Sequence, residues 1–297
     1  MSCLRSSRRI STRGGRSVHT STMELKSTLY SMANGIATIT LARPARMNAW
    51  TGRMHTEYRH SLEQAEADPA VRVVVVTGEG RAFCAGADMQ ALEGHAAKGG
   101  YDSGTTADIP TPGFGVRPEF DQNFAYHFGL TKPVIAALNG PAAGVGLVLA
   151  CYADIRFAVP GAKLTTAHGR FNMPAEYGLS WLLPRIVGLA RANDLLMSSR
   201  VFLTDEAYEM GLINRLVSKE DLMTEVMAYA RQLADSVAPH SMAVTKRQIY
   251  VDQHRDVGSS VAEADRLLSE MVAEPDYKES VRAWLDKRKA DWRWPGK

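Results

Sequence analysis

The chain is 297 residues long, with 45% hydrophobic and 23% charged residues, a balance that suits one large domain with an appendage and excludes wholesale disorder. Its formal charge of +3 is unevenly placed: Arg5, Arg8, Arg9, Arg13 and Arg16 stand in residues 1–22 without any acid, and the remainder is slightly acidic, which argues against a basic nucleic-acid-binding body. No apolar run reaches the roughly 18 residues of a membrane-spanning helix, and three cysteines without CxxC spacing argue against a disulfide framework or a structural zinc site.

Residues 1–22 are rich in Arg and Ser and lack the apolar stretch of a secretory signal. That composition is the one of a mitochondrial presequence and predicts the mitochondrial matrix; a disordered tail, or a start at Met23, is the alternative. The carboxyl end, Trp294-Pro295-Gly296-Lys297, is not a peroxisomal address of the SKL type.

From Leu29 to Leu41, two short strands flank Asn34-Gly35, a pair that tolerates positive φ and signals a hairpin. Asn48 is placed to cap a helix in which Met54, Tyr58, Leu62 and Ala65 share a face. The β-branched run Val71–Val76 predicts a buried strand closed by Thr77-Gly78. Residues 94–119, rich in Gly, Pro, Ser and Thr, read as a lid or binding loop. A helix over Phe120–Leu130 and a buried strand over Pro133–Leu138 follow, and Asn139-Gly140 leads into a small-residue helix over Ala142–Tyr152. Ile155–Ala158 and Lys163–Thr166 are two more short strands. From about Leu182 the pattern turns helical, with helices expected over 205–211, 219–237, 239–250, 260–272 and near 278–289. The expected organisation is an α/β core over residues 23–200 and a helical region over 201–297.

Two segments place bare backbone beside tight turns: Arg81-Ala82-Phe83-Cys84-Ala85-Gly86-Ala87-Asp88-Met89, after the Val73–Thr77 strand, and Asn139-Gly140-Pro141-Ala142-Ala143-Gly144-Val145-Gly146, between a strand and a helix. Small residues let a ligand approach the main chain, and a helix start offers unpaired N–H groups. Two such amides aimed at one point stabilise an oxyanion. Either segment alone is weak evidence, because Gly/Ala clusters at a strand–helix turn more often reflect close packing.

GRAFCAGADMQAL, LNGPAAGVGLVLACYADIRFA, and GLSWLLPRIVGLARANDLL with GLINRLV resemble, in order and spacing, the enoyl-CoA hydratase/isomerase (crotonase) family. ARPARMNAW at 42–50 resembles that family's early acyl-CoA loop and WLDKRKADW at 284–292 its last helix, so the resemblance covers about residues 28–292. It implies a crotonase-like spiral of ββα turns with a carboxyl-terminal helical oligomerisation region, assembled as a homotrimer or homohexamer. It also implies an acyl-CoA thioester as substrate, with no further cofactor and no metal. By the same resemblance the oxyanion amides fall on Ala87 and Val145, and Ala87, Asp88, Met89, Gln90 and Gly144 lie along the substrate.

The acid–base positions depart from the hydratase pattern. The two glutamates typical of family hydratases match Val148 and His168 here, whereas Glu176 stands where isomerases of the Δ3,Δ2-enoyl-CoA type carry their single glutamate. The resemblance therefore implies an isomerase with Glu176 as general acid/base, with hydratase as the alternative. His168 is either a second acid/base or polar group or a structural histidine. Asp154 reads as structural, Asp88 as a loop-orienting residue, and Cys84 as a small hydrophobe. Phe114, Phe120, Phe124 and Tyr126 either shape the acyl pocket or pack in the core. A non-catalytic or RNA-binding relative is the reading from another class, opposed by the mixed charges of Arg53, Arg59, Glu57, Glu63 and Glu66; a purely structural role through trimerisation is a third. Gly144–Leu149 lacks the third glycine of a dinucleotide fingerprint, and the sequence holds no phosphate-binding P-loop, HExxH motif or nucleophile elbow.

Overall fold

The computed structural model describes residues 23–99 and 113–292. The segment read as a presequence, and residues 100–112 of the expected lid, lie outside them.

β1 (Thr28–Ala33) and β2 (Ile36–Leu41) form the antiparallel hairpin, with Asn34 at φ 52° and Gly35 at φ 75° in its turn. α1 (Gly52–Ala67) follows, capped by Thr51, whose Oγ1 accepts from the Met54 amide at 3.2 Å. Asn48, the expected cap, lies outside the helix with φ 55° and serves a loop described below. Then come β3 (Val73–Gly78), α2 (Met89–Lys98) and α3 (Tyr126–Gly129). The chain continues through β4 (Val134–Leu138), β5 (Ala142–Ala143), α4 (Val145–Tyr152), β6 (Ile155–Ala158) and β7 (Lys163–Thr165). α5 (Leu179–Val187), α6 (Leu189–Ser198), β8 (Phe202–Leu203), α7 (Thr204–Glu209) and β9 (Arg215–Leu216) precede four helices: α8 (Leu222–Ser236), α9 (Pro239–Asp252), α10 (Val257–Val272) and α11 (Pro275–Leu285).

One six-stranded sheet runs in the order β1-β2-β3-β4-β6-β9, parallel throughout except for the β1–β2 pair. A smaller sheet runs β5-β7-β8. Because β8 and β9 still join these sheets, the chain is wholly helical only from Leu222 onward.

Period-two alternation sorts the large sheet's side chains. Val74, Val76, Ala136 and Leu138 face the main core with Met54, Tyr58 and Leu62 of α1, whereas Val73, Val75, Ile135 and Ala137 pack with Leu222, Val226 and Ala230 of α8. Both faces are covered, which explains why β3 is an unbroken valine run and not an alternating one.

The helix expected over Phe120–Leu130 shrinks to the four residues of α3. Phe124 adopts φ 63°, and the His127 ring meets its carbonyl oxygen through Nδ1 at 2.5 Å, so the chain turns instead of propagating a helix. Asp154 is a structural hub. It accepts from the Val134 amide at 2.6 Å, from Lys246 Nζ at 2.8 Å and from the Tyr250 hydroxyl at 2.7 Å, fastening α9 to the start of β4.

Candidate active site

The β3–α2 and β4–α4 loops lie against each other. The Phe83 and Cys84 amides donate to the Pro141 carbonyl at 3.1 and 3.2 Å, and the Ala143 amide returns to the Cys84 carbonyl at 3.0 Å. Glycine makes this approach possible: a Cβ on Gly140 would sit 2.2 Å from the Arg81 carbonyl oxygen, and one on Gly146 would sit 2.2 Å from that of Cys84. Buried Asn48 holds the first loop from behind. Its Oδ1 accepts from the Arg43 amide at 2.9 Å, and its Nδ2 donates to the Glu79 and Ala82 carbonyls at 2.9 and 2.8 Å.

This packing leaves two amides unused. Trp50 and Ala87 form an isolated parallel bridge, in which the Trp50 amide donates to the Gly86 carbonyl at 2.8 Å and the Asp88 amide donates to the Trp50 carbonyl at 3.0 Å. Both bonds bracket Ala87, whose own N–H has no acceptor among the described residues. Val145 is the first residue of α4, so its N–H has no partner within the helix, while the preceding Gly144, at φ 47°, gives its own amide to the Thr165 carbonyl. Ala87, Gly144 and Val145 line a single cavity of about 180 Å³. Two free amides on one cavity, one of them at a helix start, are suited to a developing oxyanion.

Glu176 and His168 line the same cavity. Glu176 opens a short 3₁₀ turn, Glu176–Gly178. Its half-buried carboxylate has no hydrogen-bond partner among the described residues, and burial raises its pKa above the ordinary carboxylate value. The turn is pinned from below: Tyr177 takes φ 51°, and its carbonyl accepts from the Tyr152 hydroxyl at 2.6 Å. His168 is buried, with no hydrogen bond to its ring nitrogens among the described residues. The preceding Ala167 is held at φ 60°, and Ser199 Oγ accepts from the Gly169 amide at 2.9 Å. Val148 is buried in α4 and does not reach the cavity.

The residues following Ala87 divide. Met89 lines the cavity, whereas Asp88 and Gln90 do not. Asp88 instead caps α2 through the Gln90 amide at 3.0 Å and pairs with Arg43 at 2.9 Å. Burial works against its charge, yet Arg43 and the Gln90 amide together hold the carboxyl below its usual value. Cys84 is fully buried, which pushes its thiol up to about 12 and keeps it inert.

Phe120, Phe124 and Tyr126 belong to the main core with Phe114 packed against it, and none of the four lines the cavity. Phe124 packs edge-on against Tyr177 at 5.0 Å and tilted against Trp50 at 5.6 Å, and those two residues form the wall. Trp50 ends the segment that resembles an acyl-CoA loop, whereas the sequence assigns no site role to His55, Phe171 or Tyr177. His55 alone had an accessible signal, since it follows the capping Thr51 by four residues and so shares its side of α1. Burial, with the Arg59 cation adding to it, pushes the His55 imidazole down to about 4, so the ring is neutral.

A family model described as enoyl-CoA hydratase/isomerase matches residues 31–295, and the chain belongs to that family. Its fold is the crotonase fold, mixed α/β with a carboxyl-terminal helical region. The chain is 32% identical over 257 residues to the 1,2-epoxyphenylacetyl-CoA isomerase of Escherichia coli, covering 86% of this chain and 93% of that protein. It is 29% identical over 262 residues to a 4-chlorobenzoyl coenzyme A dehalogenase of an Arthrobacter species, covering 86% and 88%. Among solved structures, an enoyl-CoA hydratase from Polaromonas sp. JS666 superposes with a TM-score of 0.78 at 26% identity, over 90% of this chain and 99% of that one.

Proposed function

We propose that the chain is an enoyl-CoA isomerase that moves a double bond from Δ3 to Δ2 with Glu176 as its single acid/base. The acyl thioester oxygen lies between the Ala87 and Val145 amides. Glu176 removes a proton from C2, and the electron pair delocalises through the C3–C4 double bond onto the thioester oxygen. The resulting dienolate is held by the two amides, and the same carboxyl returns the proton to C4. No atom is gained or lost. The observation that carries this reading is Glu176, the one carboxylate among the described residues that line the cavity, half-buried, without an ion-pair partner among them and with a raised pKa, while a valine that does not reach the cavity stands at 148.

Hydration is the second reading, favoured by one observation: His168 lines the same cavity, with no hydrogen bond to its ring nitrogens among the described residues, and offers a nitrogen to activate water. The relatives' names include an isomerase, a hydratase and a dehalogenase, as expected when one oxyanion site serves several reactions. The deciding experiment compares wild type and Glu176→Gln on a 3-enoyl-CoA and a 2-enoyl-CoA. A 3-enoyl to 2-enoyl shift that falls by about 10²–10⁴ in the variant supports the isomerase. Water addition to the 2-enoyl ester as the main reaction overturns it.

The exposed apolar residues of α10 and α11 support assembly as a homotrimer or homohexamer, and the Arg-rich composition of residues 1–22 supports a place in the mitochondrial matrix.

A further inference from the structure

We propose that His55 is a specificity-determining residue of this site, and that the acyl group it selects is compact, ring-bearing and carries an uncharged oxygen substituent, a hydroxyl or a carbonyl. This inference rests on the acyl-CoA reading above and names the acyl class within it.

Size comes first. At about 180 Å³ the cavity is of the order of the 150 Å³ that accommodates benzene, and it must also admit the thioester carbonyl beside Ala87 and Val145. A ring fits that space.

Shape points the same way. Three flat walls, Trp50, Phe171 and Tyr177, meet on the cavity, with small residues such as Ala85 and Ala143 between them. Such surfaces match the face and edge of a ring.

Polarity then selects the substituent. His55 stands in the first turns of α1, edge-on to Trp50 at 6.0 Å and to Phe124 at 5.7 Å, so its plane is fixed by two aromatic neighbours. It lines the cavity, and no described residue hydrogen-bonds its ring nitrogens. A neutral imidazole offers one donor and one acceptor, which a hydroxyl or carbonyl satisfies. The depressed basicity of His55 is consistent with recognition of a neutral group and not of an acid. A saturated chain filling this space would strand the imidazole without a partner, a loss that discriminates against it.

The test is binding, which needs no turnover. Isothermal titration of the full chain is carried out with phenylacetyl-CoA, with its 2-, 3- and 4-hydroxyphenyl counterparts, and with octanoyl-CoA, for wild type, His55→Phe and His55→Gln. Wild type is expected to favour at least one hydroxylated ester over phenylacetyl-CoA by about tenfold, the worth of one good hydrogen bond, and to bind octanoyl-CoA more weakly than that ester. The ratio should fall to about one in His55→Phe and persist in His55→Gln, which keeps a donor and an acceptor. No preference in wild type, a preference unchanged by His55→Phe, or octanoyl-CoA bound as tightly as the best hydroxylated ester would each overturn the proposal. The wild-type ratios stand as a test even where His55→Phe does not fold. Failure of 3-enoyl isomerisation with these ratios intact would remove the isomerase reading alone; normal isomerisation without the ratios would remove this one alone.

Discussion

Gly146 and Cys84 are in backbone contact so close that a methyl group cannot separate them: a Cβ at 146 would lie 2.2 Å from the Cys84 carbonyl oxygen. The contact joins the loop that carries Ala87 to the helix that begins at Val145, so the spacing of the two free amides is set by main-chain packing and not by side chains. In the proposed mechanism a valine at 145 is acceptable for the same reason, because that mechanism uses only its amide.

Gly146→Ala should therefore damage both stability and catalysis. Forcing the methyl group in should cost about 1–3 kcal/mol and displace the start of α4. Urea unfolding reads the first effect, and kcat for isomerisation, expected to fall at least tenfold, reads the second. Unchanged kcat would mean that the amide spacing does not matter.

The raised pKa of Glu176 carries a sign that can be checked. Burial favours its protonated form in the folded chain, so the folded state bears a penalty wherever this carboxyl must ionise. The penalty is absent below the unfolded carboxyl pKa, grows as pH rises toward the raised folded value, and is complete above it. Glu176→Gln should accordingly melt at a higher temperature than wild type at pH 8, with the difference vanishing near pH 4. The activity of wild type should rise with pH along a limb above the ordinary carboxylate range, as the base form appears. Equal melting temperatures at both pH values would contradict the assignment.

Asp154 holds structure together away from the cavity. Lys246 is only 5% exposed, and removing its carboxylate leaves a buried cation short of a partner. Asp154→Asn should lower stability by about 3 kcal/mol in urea, with KM for the thioester unaltered. A large change in KM with stability intact would give Asp154 a role in binding.

The carboxyl-terminal helices present apolar side chains to solvent, with Val257 81%, Leu268 63%, Trp284 85% and Leu285 74% exposed. In the assembly proposed above, another copy would cover faces of this kind on successive helices. Light scattering should report a multiple of the 32.5 kDa chain mass, and Trp284→Glu together with Leu268→Glu should reduce it. A monomer in wild type would contradict the assembly.

Much of this architecture is legible in local sequence. Asn34-Gly35 specifies the hairpin, the valine run of β3 reports a strand buried on both faces, and Gly86, Gly144 and Gly146 mark the backbone approach on which the site depends. The misreadings have physical causes. Thr51 and Asn48 are both good caps, and only the packing of the Asn48 amide against Glu79 and Ala82 decides between them. Periodicity cannot reveal that Phe124 takes a left-handed conformation, so the pattern over Phe120–Leu130 predicts a longer helix than α3. Asp88 and Gln90 flank Met89 in sequence without lining the cavity, and the Asp88 carboxylate is engaged by Arg43 and the Gln90 amide, partners that sequence spacing alone does not name. Trp50, Phe171 and Tyr177 converge from segments far apart along the chain, and no local pattern announces a wall assembled in that way.

The most direct measurement follows a 3-enoyl-CoA through the enzyme in water enriched in heavy oxygen, with products resolved by chromatography and mass. The account predicts a 2-enoyl-CoA of unchanged mass that carries no solvent oxygen, formed without Glu176 ever activating water. A principal product that has gained one molecule of labelled water would contradict it and place hydration, with His168, at the centre of the site.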